Sequence, residues 1–282
     1  MIDFCKFHGF GNDYIVIERG NVPDGLSLSD LAVSICSRHT GAGADGIAVV
    51  EKLDSPEADY FCEIVNPDGS IAGFSGNGTR CAAAYLYYCG LWSDPSFRLK
   101  VRSGVKDFRL IERPADGTFV LSAEIGKPLF ASEDVPIDTG LRTASVVDHK
   151  LYIGETPYAV SAVNVGNPVI CLFVDDFDLD WRIVGRELEV HPALPERANV
   201  VFVKPGDRAS IEIRIWERGA GETSSSGTCS AAAAVLSAFT GRTGRRVAVH
   251  APGGTTDIDW RADDTILLTG RADLAYLGRW PA

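Results

Sequence analysis

Two short segments of the sequence have the residue types to bind a small anion beside a hydroxyl group. Ser75 and Ser226 are 151 positions apart, and each is followed by a glycine and by a run of alanines typical of a helix. The first backbone N–H groups of a helix lack partners within it and carry a partial positive charge, so they bind anions readily. Glycines at 76, 78 and 227 would let a ligand approach the backbone. We predict that both segments bind a carboxylate.

The alternative for a single Ser-Gly pair is ordinary capping of a helix, a common role of serine. One such pair would therefore carry little functional information. Two pairs in equivalent positions favour a binding role, and a cleft between two equivalent domains is where ligand sites usually lie.

The elements that would position these helix starts occur twice in the same order. A Gly-Asn turn leads into an apolar strand, then come a helix, a strand, a strand ending in a polar turn, the alanine-rich helix and a pair of strands. The helix-ending glycines are Gly90 and Gly241. The matched segments are 11–17 with 166–172, 29–36 with 180–188, 47–50 with 200–203, 63–69 with 214–219, and 97–111 with 246–260.

This repetition predicts an α/β protein built by tandem duplication, with two pseudo-symmetric domains. Strands dominate each half, and one apolar helix is packed inside. The domain boundary is expected near residue 125, which gives an N-terminal domain over 1–125 and a C-terminal domain from 126 onward.

Composition excludes several classes of protein. The 282 residues, 45% of them hydrophobic, are enough to bury a core, so a disordered chain is not expected. The net charge of −11 argues against nucleic-acid binding. The sequence contains no apolar run of membrane-spanning length, and its first residues lack the charged and apolar regions expected of a signal peptide. The seven cysteines do not have the spacing of a disulfide framework. We expect a cytoplasmic protein without a membrane partner.

Neither a metal nor a cofactor is expected. The five histidines are scattered, so they do not form a metal cluster. Residues 41–46 match the glycine pattern of dinucleotide-binding folds, but they follow a helix and precede a strand, which is the reverse of the required order.

Seven segments, in order along nearly the whole chain, resemble diaminopimelate epimerase. The resemblance implies two domains, each a curled, mostly antiparallel sheet around a central helix, with 268–282 returning to complete the domain of 1–125 and 126–267 forming the other. It also implies cofactor-independent inversion at an amino acid Cα, by removal and return of a proton in the cleft between the domains. The segments are 10–14, 43–46, 66–70, 76–80, 166–168, 195–199 and 217–223.

The resemblance also assigns the site residues. The two helix starts would bind the α-carboxylate of a small amino acid and stabilise the carbanion, and other side chains would hold the distal amino and carboxyl groups. The first group comprises Gly76, Asn77, Gly227 and Thr228, and the second comprises Asn12, Asn66, Asn167, Asn199, Glu217 and Arg218. Turn formation is the alternative role for each asparagine. A homodimer remains open.

The catalytic positions differ from those of the family. Two cysteines precede the helices in the family, and both are serine here, Ser75 and Ser226. A serine hydroxyl is far less acidic than a thiol, so it needs another base beside it. Val169 stands where the family has a histidine, whereas Glu217 is retained. We therefore predict Ser75, Ser226 and Glu217 as the catalytic residues.

Several explanations of the two serines stay open. Cys81 and Cys229 could substitute for the missing thiols, although buried helix residues are the expected role. The serines could be engineered, or they could act with Glu217 or water in a working epimerase that interconverts LL- and meso-diaminopimelate for lysine biosynthesis. Alternatively, the chain is a dehydratase or isomerase of another small amino or hydroxy acid, or a binding protein without turnover.

Overall fold

A computed structural model describes residues 1–73 and 75–281, so Phe74 and Ala282 lie outside the described residues. Its contacts divide the chain into two compact units. Unit 1 comprises Met1–Glu124 and Thr269–Ala282, and unit 2 comprises Ile125–Leu268.

Unit 1 surrounds one helix with strands and carries a second, shorter helix. A short 3₁₀ turn, Arg19–Asn21, follows its second strand. Its elements are β1 (Ile2–Gly9), β2 (Asn12–Glu18), α1 (Leu28–Ile35), β3 (Ile47–Lys52), β4 (Tyr60–Val65), β5 (Ile71–Ala72), α2 (Gly76–Tyr88), β6 (Ser96–Val101), β7 (Gly104–Ala115) and β8 (Thr118–Gly126).

Unit 2 has the same plan. Its last strand continues into unit 1, where it pairs antiparallel with β1. The elements are β9 (Val146–Ile153), β10 (Thr156–Asn164), β11 (Pro168–Phe173), α3 (Trp181–Glu189), β12 (Asn199–Pro205), β13 (Ser210–Glu217), β14 (Gly221–Thr223), α4 (Gly227–Phe239), β15 (Arg246–Ala251), β16 (Gly254–Trp260) and β17 (Ile266–Trp280).

The strand pairings confirm the predicted repetition. In unit 1, β2 and β3 are parallel, β3 and β4 antiparallel, β4 and β6 parallel, and β6 and β7 antiparallel. In unit 2, the same four relations join β11 with β12, β12 with β13, β13 with β15, and β15 with β16. The fold is therefore a duplicated α/β unit in which a curled, mostly antiparallel sheet wraps a central helix.

The two central helices, α2 and α4, are buried on nearly every side. Residues 77–87 of α2 are all buried, as are residues 229–237 of α4. A helix buried all round needs small side chains if strands are to pack closely about it, and the runs Ala82–Ala84 and Ala231–Ala234 provide them. The helix α2 packs on β1 to β4, and α4 packs on β10 to β13, β15 and β16.

Both central helices end as predicted. Gly90 and Gly241 follow the last turns with φ of +69° and +75°, the left-handed conformation that glycine adopts without strain. The outer helix α1 begins slightly earlier than expected, because Ser27 rather than Ser29 caps it by accepting a hydrogen bond from the Asp30 N–H at 3.3 Å. In the described part of the chain, no helix has the length and apolar character needed to cross a membrane.

Candidate active site

Ser75 occupies the N-cap of α2 with extended backbone dihedral angles. Its Oγ accepts a hydrogen bond from the Gly78 N–H at 3.1 Å and lies 2.9 Å from the hydroxyl oxygen of Tyr14. Tyr14 belongs to β2, and its side chain is buried. The hydroxyl of Ser75 is therefore both a helix cap and the partner of a buried phenol.

Asn77 lies in the first turn of α2, where its side chain is oriented by Arg80. The amide oxygen Oδ1 accepts a short hydrogen bond from the Arg80 guanidinium, which also donates to the carbonyl of Arg271 at 3.1 Å. Burial lowers the pKa of Arg80 to about 10, so the guanidinium keeps its charge at neutral pH. Asn77 thus presents its amide group from a fixed position beside a buried positive charge.

Glycines next to this guanidinium leave room for it. A Cβ at Gly9 would lie 2.9 Å from Arg80 Nη2, and a Cβ at Gly270 would lie 2.7 Å from Arg80 Nη1. Gly78 has a similar role for another side chain, since its Cβ would lie 2.9 Å from the Tyr14 ring. The Tyr14 ring thus gives Gly78 a packing reason to lack a side chain, and its predicted role toward a ligand stays a prediction.

Ser226 occupies the N-cap of α4 with similar backbone angles but with different side-chain contacts. Among the residues that the structure describes, none donates a capping hydrogen bond to its Oγ. The Ser226 hydroxyl is instead a neighbour of two titratable groups: burial raises the pKa of both Glu217 and Cys229, and hydrogen bonding by Ser226 opposes each rise. The second helix start thus places a carboxyl group beside its serine.

Glu217 ends β13, and its carboxyl group also accepts a hydrogen bond from the Thr223 hydroxyl at 2.6 Å. Burial raises the pKa of Glu217 above its usual range, and the hydrogen bonds from Thr223 and Ser226 oppose this rise only in part. A carboxylate with a raised pKa is a stronger base than an exposed one. It can therefore take the proton that a serine hydroxyl gives up.

Cys81 and Cys229 are fully buried within the central helices, which confirms their expected role as core residues. Burial raises the pKa of Cys81 to about 12 and that of Cys229 well above its usual value. Both thiols therefore remain protonated at neutral pH, so neither supplies a thiolate base.

Asn12, at the start of β2, donates from Nδ2 to the Asp45 carboxylate at 2.8 Å. Asp45 also pairs with Arg38, and Asp13 pairs with both Arg38 and Lys6. Burial alone would raise the pKa of Asp13, but hydrogen bonds from Arg38 and Lys6 outweigh burial and lower it to about 2. A network of charged groups therefore fixes the position of Asn12.

Asn66 and Asn167 are in contrasting situations. Asn66 sits in a turn, where its Nδ2 donates to the Ser70 hydroxyl at 3.0 Å. Asn167 precedes β11, and its buried Oδ1 has no hydrogen-bond partner within the described residues. A buried acceptor without a partner costs free energy, so Asn167 Oδ1 is the polar atom here that a ligand donor would satisfy best.

Asn199 and Arg218 come together in unit 2. Asn199 is buried at the start of β12, opposite Val169 of the neighbouring strand, and its Oδ1 accepts a hydrogen bond from the Arg218 N–H at 2.9 Å. The Arg218 side chain is exposed, and its Nη1 donates to the Glu196 carbonyl at 2.9 Å. The buried amide therefore orients the backbone from which an exposed guanidinium extends.

The remaining predicted residues lie at the helix starts. Gly76, Gly227 and Thr228 are the first residues of α2 and α4, and all three are partly exposed. Among the described residues, a Cβ at Gly227 would contact only the end of the Leu268 side chain, at 3.1 Å. Within residues 1–73 and 75–281, no group of three or more histidine, cysteine, aspartate or glutamate residues is arranged so that it could hold a metal ion.

Sequence reasoning missed three side chains of these groups, namely Tyr14, Arg80 and Thr223. All three stand in the motif segments, but no pattern showed that they contact Ser75, Asn77 and Glu217. The signal that could have pointed to Tyr14 is its position in the repeat, because Tyr14 in the first copy corresponds to Val169 in the second.

Comparison with known proteins gives a match along most of the chain. The family model for diaminopimelate epimerase matches residues 4–121 and 161–275. The diaminopimelate epimerase of Pelotomaculum thermopropionicum is 37% identical over 99% of this chain and 98% of its own length. That of Caldanaerobacter subterraneus subsp. tengcongensis is 37% identical over 98% of both chains.

Solved structures with much lower identity share the fold. A phenazine biosynthesis protein of the PhzF family from Bacillus anthracis superposes with a TM-score of 0.71 at 15% identity, covering 100% of this chain and 99% of that protein. A probable proline racemase from Agrobacterium radiobacter, with bound carbonate, superposes with a TM-score of 0.66 at 15% identity, over 100% of this chain and 93% of that protein.

Proposed function

Because the chain belongs to the diaminopimelate epimerase family, we propose that it interconverts LL- and meso-diaminopimelate, an isomerisation in lysine biosynthesis. The reaction removes the proton from one Cα and returns a proton to the same carbon with inversion. The observation that carries the proposal is the buried carboxyl group of Glu217, which accepts a hydrogen bond from Thr223 at 2.6 Å and has the Ser226 hydroxyl as a neighbour. This carboxyl group supplies the base that a serine alone lacks.

Proton removal is assigned to Ser226 acting with Glu217. The serine hydroxyl takes up the Cα proton as its own proton passes to the carboxylate, so no free alkoxide has to form. General base catalysis is most effective when the pKa of the base lies near the working pH. The burial that raises the pKa of Glu217 therefore serves this step.

The α-carboxylate of the substrate is assigned to the helix starts, through Gly76 and Asn77 in unit 1 and Gly227 and Thr228 in unit 2. Backbone N–H groups and the positive end of each helix dipole favour a carboxylate. They also stabilise the charge that develops when Cα loses its proton. The buried guanidinium of Arg80 adds positive charge near Asn77.

The distal end of the substrate is assigned to the polar residues outside the helix starts. Asn167 Oδ1 suits an ammonium donor, because it is a buried acceptor without a partner among the described residues. Arg218 suits the distal carboxylate, since a guanidinium can hold both carboxylate oxygens at once. The other residues of this group are Asn12, Asn66, Asn199 and Glu217.

Proton exchange tests the proposal directly. LL-diaminopimelate is incubated with the protein in deuterated buffer, and the Cα proton signal and the appearance of the meso isomer are followed by NMR. We expect loss of the Cα proton together with formation of the meso isomer, and a lower rate for Ser75→Ala and for Ser226→Ala. Failure of the wild-type chain to exchange or invert would refute the function.

Assays with other substrates and binding measurements would reveal two alternative functions. Turnover of hydroxyproline or a related acid, without turnover of diaminopimelate, would indicate a dehydratase or isomerase with another substrate. Calorimetric binding of diaminopimelate without exchange would indicate a binding protein, and Ser75→Cys combined with Ser226→Cys would then restore exchange.

A cytoplasmic location and a homodimer belong to the proposal as well. All seven cysteines are free thiols, which suits a reducing compartment. Fractionation of cells that produce the protein tests the location, and sedimentation analysis at several concentrations tests the dimer.

A further inference from the structure

We propose that Tyr14 is a positioning residue that makes Ser75 the proton donor of the reaction, whereas Glu217 makes Ser226 the proton acceptor. The inference rests on the proposed function, because it assigns a direction to the two serines of that reaction. It is drawn from hydrogen-bond capacity at the two helix starts.

The acceptor capacity of Ser75 is already used. A hydroxyl group has one hydrogen to donate and two lone pairs to accept with. Ser75 Oγ accepts from the Gly78 N–H at 3.1 Å and lies 2.9 Å from the Tyr14 hydroxyl oxygen. A phenol is far more acidic than an aliphatic alcohol, so we assign Tyr14 as the donor of this pair. Both lone pairs of Ser75 are then occupied, and its own hydrogen is left to donate.

The donor capacity of Ser226 is used instead. Glu217 is the carboxyl neighbour of this hydroxyl, and an ionised carboxylate can only accept, so we assign the Ser226 hydrogen to Glu217. No capping N–H occupies its oxygen among the residues described. The Cys229 thiol, which stays protonated, is its other neighbour. Ser226 Oγ therefore keeps a lone pair that can receive a proton.

The position of the Tyr14 hydroxyl is fixed by packing. Tyr14 pairs with Phe7 of the adjacent strand, and its side chain is buried. Two glycines make room for the ring: a Cβ at Gly46 would lie 2.8 Å from Tyr14 Cε1, and one at Gly78 would lie 2.9 Å from the same atom. Supporting residues that restrict a side chain in this way keep a functional group in its working geometry.

The proton transfers of one turnover need no further reactant. The Cα–H bond breaks, its proton goes to Ser226 Oγ, the Ser226 proton goes to Glu217, and the electron pair stays on Cα. A new Cα–H bond then forms with the Ser75 proton, and the Tyr14 proton replaces it on Ser75. Exchange with water restores the ionised Glu217 and the neutral Tyr14, or the reverse reaction does so directly.

The test is Tyr14→Phe, which removes the hydroxyl and keeps the ring. Tyr60→Phe is the matched control, because it removes another buried hydroxyl of unit 1, one that donates to the Leu91 carbonyl at 3.0 Å. We expect Tyr14→Phe to lower kcat/KM about 100-fold, the lower end of the range for a proton-transfer group. The factor must be equal in the two directions, since the equilibrium constant cannot change. Tyr60→Phe should leave kcat/KM within about twofold of wild type.

Deuterium exchange gives a readout that a merely structural role would not move. One of the two isomers loses its Cα proton to Ser226. When Tyr14→Phe acts on that isomer, solvent deuterium should still enter unreacted substrate. The protonated Ser226–Glu217 pair holds two hydrogens, one of which comes from solvent, and either can return to Cα. From the other isomer, exchange and inversion should fall together. The ratio of exchange to inversion should therefore rise from one isomer only.

A double-variant cycle separates the relay from packing. A cysteine at position 75 donates a proton without help, so the loss caused by Tyr14→Phe should shrink in a Ser75→Cys background. If the wild type is active, two results for Tyr14→Phe would overturn this inference alone. One is unchanged rates, and the other is an equal fall of exchange and inversion from both isomers. An inactive wild type would overturn the proposed function and this inference with it.

Discussion

The starts of α2 and α4 have the same backbone but different partners. Ser75 Oγ accepts a hydrogen bond from the Gly78 N–H and lies 2.9 Å from the Tyr14 hydroxyl oxygen, whereas Ser226 neighbours the carboxyl group of Glu217. The duplicated units thus share a serine at the helix N-terminus, and the side chains around that serine differ. Two serines in equivalent positions can therefore have different partners for proton transfer.

The same divergence extends to the packing below the serines. Tyr14 in unit 1 corresponds to Val169 in unit 2, and Gly78 corresponds to Cys229. In unit 1 the large ring is accommodated by a residue without a side chain. In unit 2 the smaller Val169 belongs to the same core cluster as the larger Cys229. The combined side-chain volume of the two positions is therefore similar in both units, but only unit 1 has a hydroxyl group there.

The largest expected effect comes from removing the acceptor at Ser226. Glu217→Gln keeps the shape of the side chain but abolishes its basicity, so we expect kcat/KM to fall about 10³-fold. Steady-state rates with diaminopimelate measure it. Glu222→Gln, which removes an exposed carboxylate paired with Arg182, is the control and should keep wild-type rates. Wild-type activity in Glu217→Gln would remove the asymmetry on which the comparison rests.

Packing beneath the two helix starts should respond unequally to an added methyl group. Gly78→Ala forces a contact with the Tyr14 ring, so we expect a loss of about 2 kcal/mol in the free energy of unfolding. Within the part of the chain that the structure describes, Gly227→Ala meets only the flexible end of Leu268, so a change of less than about 0.5 kcal/mol is expected. Urea unfolding measures both. Equal losses would show that the two starts are packed alike.

The pH dependence should reflect Glu217. The carboxylate must be ionised to accept a proton, so kcat/KM falls about tenfold for each pH unit below its pKa. Because burial raises that pKa, the fall should begin at a higher pH than for an ordinary glutamate. A pH profile of kcat/KM measures this fall, which forms the acidic limb of the profile. The limb should be absent from Glu217→Gln and present in Glu222→Gln, and an identical profile for both variants would contradict the assignment.

The smallest effect is expected from the two contrasting asparagines. Asn167→Ala removes a buried acceptor that has no partner among residues 1–73 and 75–281, so we expect the KM for diaminopimelate to rise about fivefold with little loss of stability. Asn66→Ala breaks the bond to Ser70 in a turn, and some loss of stability should accompany any rise in KM. Steady-state kinetics and urea unfolding on both variants measure this difference. A larger loss of stability in Asn167→Ala than in Asn66→Ala would contradict it.

Much of the fold could be predicted because its signals are local and occur twice. Ser-Gly pairs before alanine runs located α2 and α4, and glycines after them located the helix ends. Local patterns do not specify contacts between distant residues. They could not show that Tyr14 reaches Ser75, that Arg80 orients Asn77 or that Gly78 makes room for a ring. The hairpin of β9 and β10 also went unpredicted, since it has no counterpart in the matched segments.

The strand β17 affects how the chain folds as it is synthesised. Residues 125–268 are contiguous, so all of unit 2 emerges from the ribosome as one piece. Unit 1 begins first but stays incomplete, because Ile2 pairs with Trp280 and the edge of β1 waits for the last residues of the chain. Domains usually complete their folding in the order of synthesis. Here unit 2 can complete its contacts before unit 1 does, so a nascent chain stalled before residue 269 would expose the unpaired edge of β1 to aggregation.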